Sequence, residues 1–248
     1  MSSTPSSTPH NNSSRPSSTN TSGADHFTRA VARWAGPALV AAAAVNLLAE
    51  AVVASAWDQR PYSYTQDYVN FLGSPFAGTF TSTLGSVVIS SPLWWLMSAA
   101  WVVTGVLIAA AALALRAPLT GWRRRATSAL GLAAGIALVL FALFPLGPAR
   151  MGDPTLVLYL LGAFGSIIAG NALAVVVGLS APRLRLPRWL GTTSVALGVI
   201  GLVNIPATYG WTPTGVAERL SVYPYLAWAL LTGITLIAQT RRGRLSTR

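Results

Sequence analysis

Apolar and polar residues alternate along this chain in long blocks. Six segments are each apolar over roughly the ~20 residues that a helix needs to cross the core of a bilayer. They are Trp34–Trp57, Leu93–Leu115, Ala126–Leu146, Thr155–Leu179, Leu190–Tyr209 and Leu220–Gln239. The pattern predicts an all-α fold, a polytopic membrane bundle of six transmembrane helices, with the membrane domain spanning residues 29–240.

The segments that flank this domain are polar. Residues 1–28 are rich in Ser, Thr, Pro and Asn and have no apolar periodicity. Such a segment cannot bury enough surface to offset its ordering entropy, so it is predicted to be a disordered tail. Residues 241–248 are predicted to form a short basic tail.

The longest connection is the outer loop, residues 58–92. Within it, Tyr64, Tyr68 and the pair Phe71-Leu72 are spaced to form one face of a short interfacial helix, which Gly73 would cap. Long connections are often functional lids. The loop is therefore expected either to cover a site or to lie on the lipid headgroups without a ligand.

Composition supports a membrane protein and limits its chemistry. The chain is 52% hydrophobic and only 9% charged, against roughly 25% charged in soluble domains. It has no cysteine, and its two histidines, His10 and His26, both precede the first span. Disulfides, thiol nucleophiles and imidazole ligands are therefore excluded from the spans. We expect no cofactor and no metal site.

The net charge of +11 follows the topology of a membrane protein. All 17 basic residues are arginine, and 14 of them lie before the first span, in the second and fourth connections or in the C-terminal tail. The other three are Arg60, Arg150 and Arg219. The positive-inside rule therefore predicts that both termini are cytoplasmic. The clusters in the second and fourth connections are explained by topology and can also contact anionic lipid. Membrane lipids are the expected partners, nucleic acid is not, and the sequence identifies no partner protein.

The first span has one alternative interpretation. Ala54-Ser55-Ala56 has the small residues of a signal-peptide cleavage site. The apolar run and the tail before it are too long for a signal peptide, and Glu50 lies just before the supposed site. We therefore favour a retained first span.

Charged residues inside spans are costly unless they find partners, so they are candidates for function. Glu218 and Arg219 stand side by side where the sixth span begins. Asn46 and Glu50 are four residues apart on the first span and share one helix face in its outer third. Glu50 is either a proton- or cation-linked carboxylate that contacts a ligand, or a structural acid paired with Arg219 or Arg60.

Two further asparagines lie inside spans, and lone asparagines mostly link helices by hydrogen bonds. Asn204, just before Pro206, has a depth similar to that of Glu50, whereas Asn171 is expected nearer the cytoplasm. An outward-facing polar pocket is predicted, lined by Asn46, Glu50, Asn204, Glu218 and Arg219 and covered by Asp67–Leu72, including Tyr68.

Several short motifs support a family resemblance. They are Asp67-Tyr68-Val69, Ser91-Pro92, Phe144-Pro145, Gly170-Asn171 and Glu218-Arg219-x3-Tyr223-Pro224 with Trp228, spread over about Ala35–Gln239. In these motifs the chain resembles the bacterial membrane family of domain of unknown function 998. The resemblance implies a six-span fold in the bacterial inner (cytoplasmic) membrane, adds Tyr223 to the expected site and supplies no reaction.

Three functions are compatible with the sequence. The spans lack His, Cys and Lys, which favours non-enzymatic binding of a lipid or small amphiphile, or a role as a membrane component for a partner. The second function is a small proton-linked secondary transporter, in which Glu50 carries the proton and Arg219 holds an anionic substrate. The third is a lipid-modifying enzyme that uses Glu50, Asp58, Asp67 or Glu218 as general base or metal ligand. No residue is assigned a catalytic role.

Overall fold

The computed structural model of the protein describes residues 20–82, 85–207 and 214–245. Within these ranges the chain forms six α-helices: α1 (Asn20–Ser55), α2 (Trp94–Leu115), α3 (Gly121–Leu143), α4 (Leu156–Leu179), α5 (Arg188–Val203) and α6 (Thr214–Leu245). Helix α1 includes residues 20–28 of the predicted disordered tail, and α6 continues into the predicted basic tail. Residues 1–19 of the predicted disordered tail lie outside the described ranges.

The helices run antiparallel in sequence order. Each packs against the next, and α6 packs against α1 and touches α4. One end of the bundle, the acidic end, holds Glu50, Asp58, Asp67, Asp153 and Glu218. The opposite end, the basic end, holds the arginines where α2 is followed by α3 and where α4 is followed by α5, together with the start of α1 and the end of α6.

Small residues allow the helix backbones to touch. A Cβ atom on Gly105 of α2 would lie 2.7 Å from the carbonyl oxygen of Gly135 of α3. A Cβ on Gly198 of α5 would lie 2.5 Å from the carbonyl oxygen of Asn171 of α4. The absence of a side chain at Gly135 and at Gly198 therefore permits close packing of α2 on α3 and of α4 on α5.

Five of the described helical segments are long and apolar enough to cross a membrane: Arg33–Ser55, Trp94–Leu115, Gly121–Leu143, Leu156–Leu179 and Thr214–Arg241. The predicted fifth span, Leu190–Tyr209, is not among these five, and its last two residues lie outside the described ranges. Helix α5 has 16 residues, or about 24 Å at ~1.5 Å per residue, less than the ~30 Å of a bilayer core. It ends at Val203, three residues before Pro206, because the residue before a proline disfavours helical backbone.

The outer loop contains more structure than a single interfacial helix. A 3-10 helix covers Val69–Gly73, and strands β1 (Gly78–Ser82) and β2 (Gly85–Ile89) form an antiparallel hairpin. The hairpin is the only strand pairing within the described residues. The expected helix is thus limited to one short turn.

The outer loop packs into the acidic end of the bundle. Leu72 is fully buried, and its carbonyl oxygen accepts a 2.7 Å hydrogen bond from Ser91 Oγ. Gly73 lies so close to Trp101 of α2 that a Cβ atom would fall 2.1 Å from the indole ring. Asn70 Nδ2 donates a 2.7 Å hydrogen bond to the Tyr159 hydroxyl of α4. Glycine at position 73 is therefore required by close packing.

Candidate functional site

Helices α1 and α6 bring Glu50 and Arg219 together at the acidic end. Helix α6 begins at Thr214, so Arg219 lies inside the helix, not before it as the sequence suggested. Its Nη2 and Nε atoms donate hydrogen bonds of 2.8 and 3.1 Å to Glu50 Oε1. Glu50 is 2% exposed and Arg219 is 7% exposed. The two residues, 169 positions apart in sequence, form a buried salt bridge between α1 and α6.

The guanidinium of Arg219 is also tied to the outer loop. Nη1 donates to the carbonyl oxygens of Tyr64 (2.8 Å), Asp67 (3.0 Å) and Gly215 (3.1 Å). Nη2 also donates to the Tyr62 hydroxyl at 2.7 Å. A guanidinium has five N–H donors. Contacts to Glu50, to Tyr62 and to the loop carbonyls occupy all five, so none is left for a ligand.

Three tyrosine rings surround this cation. Its Cζ atom lies 5.6 Å from the ring centroid of Tyr62, 4.9 Å from that of Tyr64 and 6.0 Å from that of Tyr223, within range of cation–π attraction. Burial raises the pKa of Tyr62 well above its ordinary value, although Arg219 opposes the shift. Tyr62 therefore stays a neutral phenol, whose hydroxyl donates to the carbonyl oxygens of Asp67 or Tyr68 at 3.2 and 3.1 Å.

The two oxygens of Glu50 differ sharply. Oε1 accepts from Arg219 and also from the Tyr223 hydroxyl at 2.9 Å. Oε2 is buried and has no hydrogen-bond partner. An unpaired buried acceptor is costly, on the order of 1–3 kcal/mol or more when charged. Glu50 Oε2 is therefore a hydrogen-bond acceptor that no described residue uses.

The other two acids of the predicted pocket anchor the outer loop. The Glu218 carboxylate accepts hydrogen bonds from the backbone N–H groups of Val69 and Asn70, where the 3-10 helix begins. Asp67 is 1% exposed and forms an ion pair with Arg60, and its Oδ2 accepts from Ser63 N at 2.7 Å. Both carboxylates thus hold the loop in place.

The remaining predicted residues have different surroundings. Asn46 is 2% exposed, one turn before Glu50 on α1. Tyr68 is half-buried, its ring meets Phe71 edge-on at 5.4 Å, and burial raises its pKa. The side chain of Asn204 bonds to its own helix, where Nδ2 donates to the carbonyl oxygen of Ile200 at 2.8 Å.

Sequence reasoning missed three contributors to the site. Tyr62 and Tyr64 were not predicted to contact Arg219, and Asn171 was placed apart from the outer group. Asn171 Nδ2 donates a 2.8 Å hydrogen bond to the carbonyl oxygen of Ser221, two residues beyond Arg219. This bond confirms the expectation that Asn171 links helices, here α4 to α6.

A lateral cleft of about 370 Å³ lies between α5 and α6 beside the ion pair. Its lining is almost entirely apolar, and Arg219 and Tyr223 form part of the α6 wall. The full set of lining residues is Leu197, Ile200, Val216, Arg219, Leu220, Tyr223, Pro224 and Ala227. The cleft is open on the outer surface of the bundle, where a membrane protein meets lipid.

The described residues offer no metal centre. No three His, Cys, Asp or Glu side chains in these ranges converge to form a metal-binding group. Glu50, Asp67 and Glu218 each have a different partner, as shown above.

Comparison with known proteins places the chain in a family. No curated protein and no solved structure matches the chain. The model of a family described as "Protein of unknown function (DUF998)" matches residues 40–235, from α1 to α6. The match covers most of the chain and includes the Glu50–Arg219 pair. This multi-pass membrane protein therefore belongs to the family of domain of unknown function 998.

Proposed function

We propose that the protein binds a single lipid or small amphiphile laterally, in the cleft between α5 and α6, without catalytic turnover. The observation that carries the proposal is the cleft itself. Its volume of about 370 Å³ falls within the ~300–1,000 Å³ of small-molecule pockets, and its walls are apolar. An acyl chain is the apolar ligand that a bilayer supplies in excess.

The cleft is bordered by α5, which is short, and by α6, which contains a proline. Helix α5 ends at Val203, and Pro224 of α6 has no N–H to donate to the carbonyl oxygen four residues earlier. Asn171 holds the α6 backbone at Ser221, and Gly201 of α5 packs directly against the Asn171 side chain. These contacts fix both walls, so the cleft is preformed and a ligand needs little reorganisation to enter.

In this proposal the polar cluster shapes the cleft and does not clamp a charged headgroup. All five N–H donors of Arg219 are occupied by protein acceptors. An anionic headgroup would have to displace one of these bonds. Recognition therefore relies on the apolar chain, with the hydroxyl of Tyr223 at the polar edge.

The test fills the cleft. Ile200 lines it and is 43% exposed, whereas the adjacent Val199 is 46% exposed and does not line it. We expect Ile200→Trp to lose the lipid that co-purifies with the protein, detected by native mass spectrometry, and Val199→Trp to retain it. Equal lipid retention in both variants would contradict the proposal.

A second candidate, proton-linked transport, is favoured by Glu50 Oε2, a buried acceptor without a partner. A proton bound there would neutralise the carboxylate and weaken its attraction to Arg219. Flux in proteoliposomes should then depend on ΔpH and be lost in Glu50→Gln. Flux that survives this substitution, or no ΔpH-dependent flux with any small solute tried, would eliminate this candidate.

A further inference from the structure

A second cavity, of about 600 Å³, lies at the basic end, where α2 turns into α3. Its charged lining residues are three arginines: Arg116, Arg124 and Arg125. Arg116 caps the end of α2, while Arg124 and Arg125 are the fourth and fifth residues of α3. Three like charges therefore face one cavity.

Among the acids whose side chains the structure describes, none lies beside these charges. The first turn of α3 contains no acidic residue, and Glu50, Asp58, Asp67, Asp153 and Glu218 lie at the acidic end. Arginine in the first turn also opposes the helix dipole, which is positive there. An anion in the cavity would reduce the repulsion among the three arginines and would also interact favourably with the positive end of the helix dipole.

The turn that carries the arginines is well defined. Leu119 is 1% exposed, and its backbone N–H donates to the carbonyl oxygen of Arg116 at 3.0 Å. Gly121 has φ = 59°, a left-handed conformation that favours glycine. Ser128 Oγ donates to the carbonyl oxygen of Arg124 at 2.8 Å. The cavity wall is thus set by backbone geometry.

The face of α3 that lines the cavity changes from charged to apolar along the helix. Arg125, Ser128, Ala129 and Leu132 follow the i, i+3, i+4, i+7 spacing of one face, and all line the cavity. Trp122, 55% exposed next to the first arginine, is the type of residue that marks a membrane interface. The face would place a phosphate at the arginines and an acyl chain along Ala129 and Leu132.

We propose that this cavity binds a phosphate anion, as presented by the headgroup of an anionic phospholipid. Arginine suits this chemistry because its planar guanidinium forms paired hydrogen bonds to phosphate oxygens. The site is separate from the α5–α6 cleft and does not depend on the function proposed for it. A free phosphate offers the same oxygens without the chain, so the two sources can be distinguished by experiment.

The experiment compares two double variants of the full-length protein that remove equal charge from the same end of the bundle. Arg124→Gln/Arg125→Gln alters the cavity, while Arg183→Gln/Arg188→Gln alters two exposed arginines near the α4–α5 connection. Native mass spectrometry measures adducts with phosphatidylglycerol and with phosphatidylcholine of identical chains, with and without millimolar inorganic phosphate. If neither double variant folds, Arg124→Gln and Arg183→Gln replace them.

We expect the cavity variant to bind phosphatidylglycerol about tenfold more weakly, equivalent to ~1.4 kcal/mol, and the control variant to bind it as the wild type does. Phosphatidylcholine should bind the wild type weakly. Competition by inorganic phosphate at millimolar concentration would support a phosphate site whose natural ligand is the free anion. Equal losses in both double variants, or equal binding of the two lipids by the wild type, would overturn the proposal.

Discussion

Replacing Arg219 with glutamine tests whether the buried ion pair holds α1, α6 and the outer loop together. The substitution leaves Glu50, which is 2% exposed, with the Tyr223 hydroxyl as its remaining described partner. It also removes the donors to the carbonyl oxygens of Tyr64 and Asp67. Breaking a buried pair by removing one partner costs about 3–5 kcal/mol, so we expect Arg219→Gln to lose that much stability.

The reciprocal variant should cost less. In Glu50→Gln the amide oxygen can still accept from Arg219, and the guanidinium keeps its other acceptors, so we expect a loss of about 1–3 kcal/mol. The double variant removes the buried charge altogether. It should therefore be at least ~1 kcal/mol more stable than the sum of the two single losses predicts.

The measurement is reversible unfolding in mixed micelles, followed by the fluorescence of the nine tryptophans. Arg183→Gln serves as the control, because this exposed arginine at the basic end should change stability by less than ~0.5 kcal/mol. Strict additivity of the two single variants would refute the reasoning, since it would mean that the two groups do not interact in the folded protein. So would an Arg219→Gln loss no larger than that of the control.

Three further predictions follow from the same contacts. Gly73→Ala should destabilise the protein by about 1–3 kcal/mol and speed proteolysis of the outer loop, because its Cβ would fall 2.1 Å from Trp101; an unchanged cleavage rate would contradict this. Because the pKa of Tyr62 is raised, the folded state keeps this proton when the unfolded state loses it near pH 10, so stability should fall as pH rises above about 10. Tyr62→Phe should flatten that decline in unfolding curves measured at several pH values. Gly201→Ala should be destabilising, since its Cβ would lie 2.0 Å from Asn171 Oδ1, and adding Asn171→Ala should partly restore the stability. If the shifts in Tm of the two single variants simply add in the double variant, the two residues are not in contact.

The similar height of Glu50 and Arg219 along the bundle could be predicted from sequence. Glu50 and Arg219 are 169 positions apart, yet each lies near the end of an apolar segment that the arginine distribution assigns to one side. A helix rise of ~1.5 Å per residue then places the two at similar heights. Because a buried charge needs a partner, pairing with Arg219 was already one of the interpretations of Glu50.

Height along a helix says nothing about the direction in which a side chain points. Asn204 was expected at the level of Glu50, but its side chain bonds to its own helix at Ile200. Asn171 was expected elsewhere, but it meets Ser221 near the ion pair. Helix rotation and tilt depend on packing contacts such as that of Gly198 with the α4 backbone, which the apolar pattern does not encode.

The outer loop was the least predictable region for a different reason. Its contacts with Arg219 are mainly through backbone carbonyl oxygens, which every residue possesses and no side-chain pattern reveals. The β-hairpin did have a signal, since Thr79, Phe80 and Val87–Ile89 are typical of strands and Gly85 lies between the two runs. The aromatic spacing of the loop predicts a helix face and does not reveal the β-hairpin.

The hydrogen-bond inventory of the acidic end separates the candidate functions. A transporter of anions needs free donors, but those of Arg219 are committed to Glu50, Tyr62 and the loop. A general base needs an accessible carboxylate, yet Glu218 and Asp67 are buried and hold the loop. What the cluster retains is the acceptor Glu50 Oε2, which suits a proton or another hydrogen-bond donor. Proton-linked transport would therefore use Glu50 Oε2, whereas binding of a lipid in the neighbouring cleft does not require it.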